Sequence, residues 1–371
     1  PTLPPVLPLT VYYKSTKQMA MGRLDLKNLN ASFNLPEPLH YSRFVKAKNA
    51  ETYLFTAENY STYPELQLTT DLMQQGIALT HANPWKDEYC RGTVELMSWR
   101  SLNGEQLEGL LYFPANYNPQ ERYPMIVYFY EQHSDNLHRY LMPRPSRSTV
   151  NIPEYTSRGY FVFTPDIRYR DGLPGQSAYD AVLSGVQSLL ERYPSINPQR
   201  LGIQGQSWGG YQTAWLVTQT NIFRAAMAGA PVSNMTSAYG GIRWESGVVR
   251  QFQYEEGQSR IGASLWENLP LYIENSPIFY ADRVTTPLLI MANDNDGAVP
   301  WTQGIELFTA LRRLGKPAWM LNYNNGPHNL MRRADTEDFT IRLQEFFDHY
   351  LKDAPMPAWM EVGVPALQKK K

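Results

Sequence analysis

The chain has 371 residues, enough for one large domain and a smaller one. Its net charge of −1 provides no global field to recruit nucleic acid or an acidic membrane surface. Its longest apolar stretches, such as "LLIMA" at 288–292, are far too short to span a bilayer. A single cysteine, Cys90, excludes an internal disulfide and leaves the redox compartment open.

The opening "PTLPPVLPLT" has neither an initiator methionine nor a basic-then-apolar leader and reads as a processed or truncated N-terminus. The runs "LTVYY", "GRLDLKNL", "ETYLFTAENY" and "ELQLTTD" alternate with a period of two between Asn, Pro and Gly breaks, as antiparallel hairpins do. Their spacing resembles one or two four-stranded blades. Residues 1–92 therefore read as a β-rich segment, either part of a propeller or a small appendage, and residues 93–371 as a second unit.

From residue 93 the pattern changes. "TVELMSWRS" and "EQLEGLLYF" form a hairpin across "LNG". "YPMIVYFY" (123–130) and "GYFVFTPD" (159–166) are short continuous apolar runs, as expected of strands buried on both faces. A helix is predicted over 177–193, with Val182, Val186 and Leu189 or Leu190 on one face. Then come strand "RLGIQG", helix "WGGYQTAWLVTQ", the small-residue strand "RAAMAGAPV" (224–232) and a loop-rich insert at 233–275. Strand "TPLLIMAND", helix "TQGIELFTALRRLG", strand "PAWMLNYN" and helix "TEDFTIRLQEFFDHYL" close the chain. Phe339, Leu343, Phe346, Phe347 and Tyr350 share one face of that last helix. Strands alternating with helices over more than 200 residues imply an α/β fold, a mostly parallel sheet covered on both sides.

Within this grammar lies Gly205-Gln206-Ser207-Trp208-Gly209-Gly210. A glycine-rich loop or a close helix contact would explain the glycines alone. Placement between a buried strand and a helix instead marks a nucleophile elbow, with Ser207 at the sharp turn and a helix N-terminus aimed at developing negative charge. A serine hydroxyl needs a base, and in this fold the acid and histidine follow it in chain order. Two histidines lie downstream. His349 sits inside the last helix and reads as a surface residue, whereas His328 sits in the turn "NYNNGPHNL" after a strand. The acid comes from "LLIMANDNDGAVPW", where Asp294 and Asp296 both qualify, the second carboxylate shaping the turn.

With "GQSWGGYQT", "PLLIMANDNDGAVPWTQ" and "PHNL" in view, residues 93–352 resemble the prolyl oligopeptidase family of serine peptidases. The resemblance implies an α/β-hydrolase fold and selects Asp296, because its aspartate stands three residues before a valine, here Val299 followed by Pro300. It implies an oxyanion hole made by the Trp208 backbone N–H and the hydroxyl of Tyr130, although Tyr130-Glu131-Gln132 departs from the family's glycine-containing pattern. It implies a specificity pocket from the insert, with Met235, Tyr239 and Trp244 as apolar wall, each equally suited to packing. The propeller acids that hold a substrate's free amino terminus in dipeptidyl peptidases have no counterpart in the first 92 residues.

The expectation is a serine peptidase that cleaves oligopeptides through an acyl-enzyme. A carboxylesterase with the same triad and a catalytically silent peptide-binding scaffold stand as alternatives. The expected partner is a peptide substrate, with no nucleic acid and no membrane span, and homo-oligomerisation is left open. A periplasmic or secreted location follows from exported bacterial relatives, with the cytoplasm as the alternative. No cofactor or metal is expected: His133, Asp135 and His138 make no complete ligand set, and "DGLPGQ" lacks the lysine and spacing of a phosphate loop. The lysines at 369–371 read as a solvated tail.

Overall fold

The computed structural model describes residues 5–363, so the first four residues and the lysine tail lie outside the described residues. The N-terminal stretch folds as two antiparallel sheets. One contains β1 (Val6–Tyr12), β2 (Met19–Asp25) and β3 (Asn30–Phe33). The other is a meander of β4 (His40–Lys46), β5 (Tyr53–Glu58), β6 (Glu65–Thr69) and β7 (Ile77–Ala78). The strands β3 and β4 fall outside the alternating runs of the sequence; β3 exposes Asn30 and Ala31 and is held by backbone pairing to β2. Met19 and Met21 pack with Tyr41, Phe55 and Ala57 into a small core between the two sheets.

The remaining chain builds one eight-stranded sheet. In chain order its strands are β8 (Val94–Arg100), β9 (Gln106–Tyr112), β10 (Tyr123–Tyr128), β11 (Phe161–Pro165), β12 (Ile196–Gln206) and β13 (Ala225–Gly229). After the small hairpin β14 (Ile242–Arg243) and β15 (Val248–Val249), β16 (Leu288–Met291) and β17 (Ala318–Leu321) complete it. The order across the sheet is β8-β9-β11-β10-β12-β13-β16-β17. The β8–β9 hairpin and the β9–β11 pair are antiparallel, and every later pairing is parallel.

The helices are α1 (Ile152–Ser157), α2 (Pro174–Arg192), α3 (Trp208–Gln219), α4 (Met235–Tyr239), α5 (Gln251–Glu255), α6 (Leu269–Glu274), α7 (Trp301–Arg313), α8 (Arg333–Lys352) and α9 (Ala358–Glu361). Helix α2 starts three residues before the predicted boundary because Pro174, with its fixed φ and missing N–H, suits a first helical turn. The unpredicted α1 is a short turn capped by Asn151, whose side chain accepts from the Glu154 N–H. The insert expected as loop carries α4, α5, α6 and the β14–β15 hairpin.

Burial on both faces of the sheet follows the period of two. Met125, Val127, Phe161, Phe163, Leu288 and Ile290 pack toward α2, α3 and α7. Ile126, Val162, Met227, Leu289 and Met291 face Phe339, Leu343, Phe346 and Phe347 of α8. Each such side chain removed from water contributes roughly 1.5–3 kcal/mol before chain entropy is charged against it.

A polar contact joins the N-terminal sheets to the large one. Lys17 is buried and pairs with Glu108 of β9 and, at 3.3 Å, with Asp135, while the Tyr12 hydroxyl donates to Asp135 at 2.5 Å. The two carboxylates keep part of their hydration. Lys17→Met, which leaves them without a cation, is expected to lower stability by about 1–2 kcal/mol, less than for a fully buried pair. Urea unfolding measures this, and an unchanged midpoint would show that the contact carries no stability.

Candidate active site

The site is built around a one-residue crossing. Strand β12 ends at Gln206 and α3 begins at Trp208, so Ser207 alone makes the turn, at φ 60° and ψ −115°. A non-glycine residue held in this left-handed region costs on the order of 1–3 kcal/mol, which the surroundings must offset. Two hydrogen bonds fix it: Ser207 N–H donates to the Gly229 carbonyl at 2.7 Å, and Tyr211 N–H donates to the Ser207 carbonyl at 2.9 Å. The flanking glycines are steric requirements. A Cβ at Gly205 would overlap the Gly209 carbonyl, and one at Gly209 would overlap the Phe129 carbonyl.

That second contact brings the end of β10 against the start of α3. Tyr130, the next residue, is held by its backbone carbonyl, which accepts from Gln212 Nε2 at 2.8 Å and from the Tyr169 hydroxyl at 3.1 Å. Its own hydroxyl accepts from Gln258 Nε2 at 2.9 Å. The Trp208 indole stacks on Tyr211 and donates to Tyr169 at 2.9 Å, so its side chain belongs to the packing. Its backbone N–H is one of the donors that the first turn of α3 leaves without an intrahelical acceptor.

The acid turn after β16 brings Asp296, not Asp294, to the histidine. Asp296 Oδ2 lies 2.7 Å from His328 Nδ1, and Oδ1 accepts from the Ala298 and Val299 N–H groups at 2.8 Å each. The Asp296 side chain is 2 % exposed and that of His328 14 %. Asp294 instead accepts from the Asn325 N–H at 2.6 Å and ties the acid turn to the histidine loop. Sequence reasoning missed three further ties to that loop. Gln206 Nε2 donates to the His328 carbonyl at 2.8 Å, Asn293 Nδ2 to the Pro327 carbonyl at 2.9 Å, and Arg147 Nε to the Leu330 carbonyl at 2.8 Å. Gln206 and Asn293 adjoin the motifs and were open to notice; Arg147, 183 residues from its partner, gives no local signal.

Ser207, His328 and Tyr130 line one cavity of ≈ 320 Å³ together with Arg243, Gln253 and Gln258. The Ser207 hydroxyl and the His328 ring share this cavity without a hydrogen bond between them, a common condition of ligand-free sites. The expected apolar wall is corrected. Met235 is fully buried and Tyr239 nearly so, in a cluster with Trp215, Tyr254 and Tyr272, because the apolar face of short α4 packs inward. Trp244 is 72 % exposed beside the β14–β15 turn. None of the three lines the cavity.

The "HSDNLH" loop after Tyr130 serves as an anchor. Asp166 Oδ1 accepts from the His133 and Ser134 N–H groups at 2.6 and 2.9 Å, Asp135 meets Lys17, and His138 Nε2 lies 3.3 Å from the Thr16 carbonyl. Burial raises the Asp166 carboxyl above its ordinary value and depresses the His133 imidazole to about 4. A histidine depressed in the fold binds fewer protons there than when unfolded. Its contribution is therefore fully present above pH 6.5 and is lost as pH falls toward 4. His133→Gln is expected to flatten the acid limb of the stability profile in that window by about 1–2 kcal/mol. Denaturant unfolding from pH 7 to pH 4 reads it; parallel profiles for both proteins would contradict it.

A mostly parallel eight-stranded sheet in this order, with a serine at the strand-to-helix elbow after its fifth strand and an aspartate–histidine pair on later loops, defines an α/β-hydrolase fold. Residues 147–354 match the sequence model of the prolyl oligopeptidase family, and the chain belongs to that family. It is 28 % identical over 353 residues to the uncharacterized peptidase YuxL of Bacillus subtilis, covering 92 % of this chain and 50 % of the relative. It is 27 % identical over 274 residues to human dipeptidyl peptidase 8, covering 70 % of this chain and 28 % of the relative. The acylaminoacyl peptidase of Pyrococcus horikoshii has the same fold, with a TM-score of 0.71 at 20 % identity over 94 % of this chain and 55 % of that one. The chain thus spans half or less of the length of these curated relatives.

Proposed function

We propose that the chain is a serine peptidase that cleaves peptide bonds by acyl transfer to Ser207. The observation that carries this reading is the 2.7 Å Asp296–His328 contact beside a strained, solvent-reachable serine in one cavity. In the reaction His328 removes the hydroxyl proton as Ser207 Oγ bonds to the substrate carbonyl carbon. The buried Asp296 carboxylate accepts from Nδ1–H, fixes the tautomer and stabilises the imidazolium. The oxyanion is met by the Trp208 N–H and the Tyr130 hydroxyl. His328 then gives its proton to the leaving nitrogen as the C–N bond breaks, and water repeats the sequence to release the acid and free serine. Membership of the family and the names of its relatives, peptidases among them, support peptide over ester substrates.

A fluorophosphonate probe should label the wild-type protein and leave Ser207→Ala unlabelled; labelling of that variant would sink the assignment. Asp296→Asn should lower kcat by on the order of 10³–10⁴-fold, because the amide leaves the histidine in the wrong tautomer. Asp294→Asn should cost far less, since that residue bonds a backbone N–H of the turn. Tyr130→Phe should lower kcat by roughly 10²–10³-fold with KM little changed, as expected for a donor used only in the transition state. Peptidyl anilides measured beside acyl nitrophenyl esters, per active serine, separate peptidase from esterase.

A further inference from the structure

We propose that this site selects peptides bearing a carboxylate close to the reacting bond, and that Arg243 binds it. The inference rests on the acyl-transfer reading of Ser207 and adds a substrate class to it.

Four observations carry it. Arg243 lines the cavity that also holds Ser207 and His328, and no Asp or Glu lines that cavity among the described residues. Asp296 stands behind the histidine with both oxygens engaged. The guanidinium of Arg243 is poorly neutralised: among the described residues its one ion-pair contact is Glu245 Oε2 at 3.9 Å, and both side chains reach solvent. Glu131, which follows the cavity-lining Tyr130 in the chain, is engaged by Arg260 at 3.2 Å and by Gln258.

The hairpin that bears Arg243 is fixed to the acid turn. Glu245 N–H donates to the Gly297 carbonyl at 3.1 Å, and Arg250 N–H donates to the Gly241 carbonyl at 3.1 Å. The Arg250 guanidinium is itself buried against the Ala298 carbonyl and the Tyr254 hydroxyl. The backbone that carries Arg243 is therefore tied to the acid turn, while its guanidinium reaches solvent from that fixed base.

The same charge bias continues beyond the first cavity. A second cavity of ≈ 490 Å³ adjoins it, the two sharing Tyr128 and Thr149 in their walls. It is lined by Arg144 and Arg147, again with no carboxylate among the described residues. Ser146 Oγ and His133 Nε2 are buried in its wall without hydrogen-bond partners among the described residues. Such a cleft repels a free amino group and attracts a carboxylate. Guanidinium–carboxylate pairing in a fixed fork geometry suits the role.

Two sources supply that carboxylate, an acidic side chain or a free carboxyl terminus. The test uses fluorogenic peptide pairs that differ only as Glu against Gln beside the scissile bond, and as free against amidated C-terminus. In the wild-type protein at least one pair should show about a tenfold preference in kcat/KM for the charged member, carried by KM and shrinking with added salt. The ratio should fall close to one in Arg243→Gln and recover in part in Arg243→Lys. Fluorescence anisotropy with the same pairs bound to Ser207→Ala and to the Ser207→Ala/Arg243→Gln double variant reads the preference without turnover. Ratios near one for both pairs in the wild-type protein, or a preference that survives Arg243→Gln, would overturn the proposal. Fluorophosphonate labelling keeps the two readings apart. A labelled protein without charge preference refutes only the carboxylate site, whereas an unlabelled protein that still binds the charged peptide refutes only acyl transfer.

Discussion

The site depends on how closely three backbones approach at the end of β12. The Gly209 carbonyl lies where a Cβ of Gly205 would sit, the Phe129 carbonyl where one of Gly209 would sit, and the Gly229 carbonyl where one of Gly210 would sit. Strands β10 and β13 therefore both touch the first turn of α3, and Ser207 has no freedom to relax from its left-handed conformation. The strain is local, whereas what opposes it is the apolar burial on both faces of the sheet and spans the whole unit. A bulkier elbow would force α3 away from the sheet and take Tyr130 and the turn of Ser207 with it.

Around that rigid point, three loops are held by side chains that do no chemistry in the proposed reaction. Gln206, Asn293 and Arg147 bond carbonyls of the histidine loop, Asp166 gathers the N–H groups after Tyr130, and Arg250 grips the acid turn. Loops supply the functional groups because they can be varied, but precision requires that each be fixed to the scaffold. Here that is done mainly by bonds to backbone atoms, which constrain the loop path and leave its side chains free to face the cavity. The buried Lys17 extends the same logic outward, since its partner Asp135 lies on the loop that follows Tyr130.

What the sequence disclosed was whatever is encoded locally. The continuous apolar run "MIVYF", the helical spacing of Phe339 to Phe347 and the glycines around Ser207 each report a contact whose partners lie close in the chain or repeat regularly. The aspartate was harder to choose, because Asp294 and Asp296 are two apart in one turn and composition cannot say which carboxylate faces inward. The family's valine spacing made the choice, and the inward carboxylate is the one that meets the His328 ring. The pocket wall was misread for a related reason: Met235 and Tyr239 are apolar residues in an insert, and the pattern does not distinguish a wall from the core of short packed helices. The ties of Lys17 to Glu108, Arg147 to Leu330 and Arg250 to Ala298 left no trace, since they span 91, 183 and 48 residues and no periodicity links them.

The arrangement also separates recognition from reaction. Arg243 stands on a hairpin attached to the acid turn through the Gly297 carbonyl, while Asp296 uses the neighbouring Ala298 and Val299 N–H groups for its own alignment. The hairpin side chain can therefore change its charge without altering the bonds that orient the carboxylate toward His328. A chain with a net charge of −1 nevertheless presents arginines and, among the described residues, no lining carboxylate along two adjoining cavities. Such a bias cannot come from overall composition. It is a property of where the loops set their arginines, so that local charge, rather than the field of the whole molecule, acts on whatever enters the two cavities.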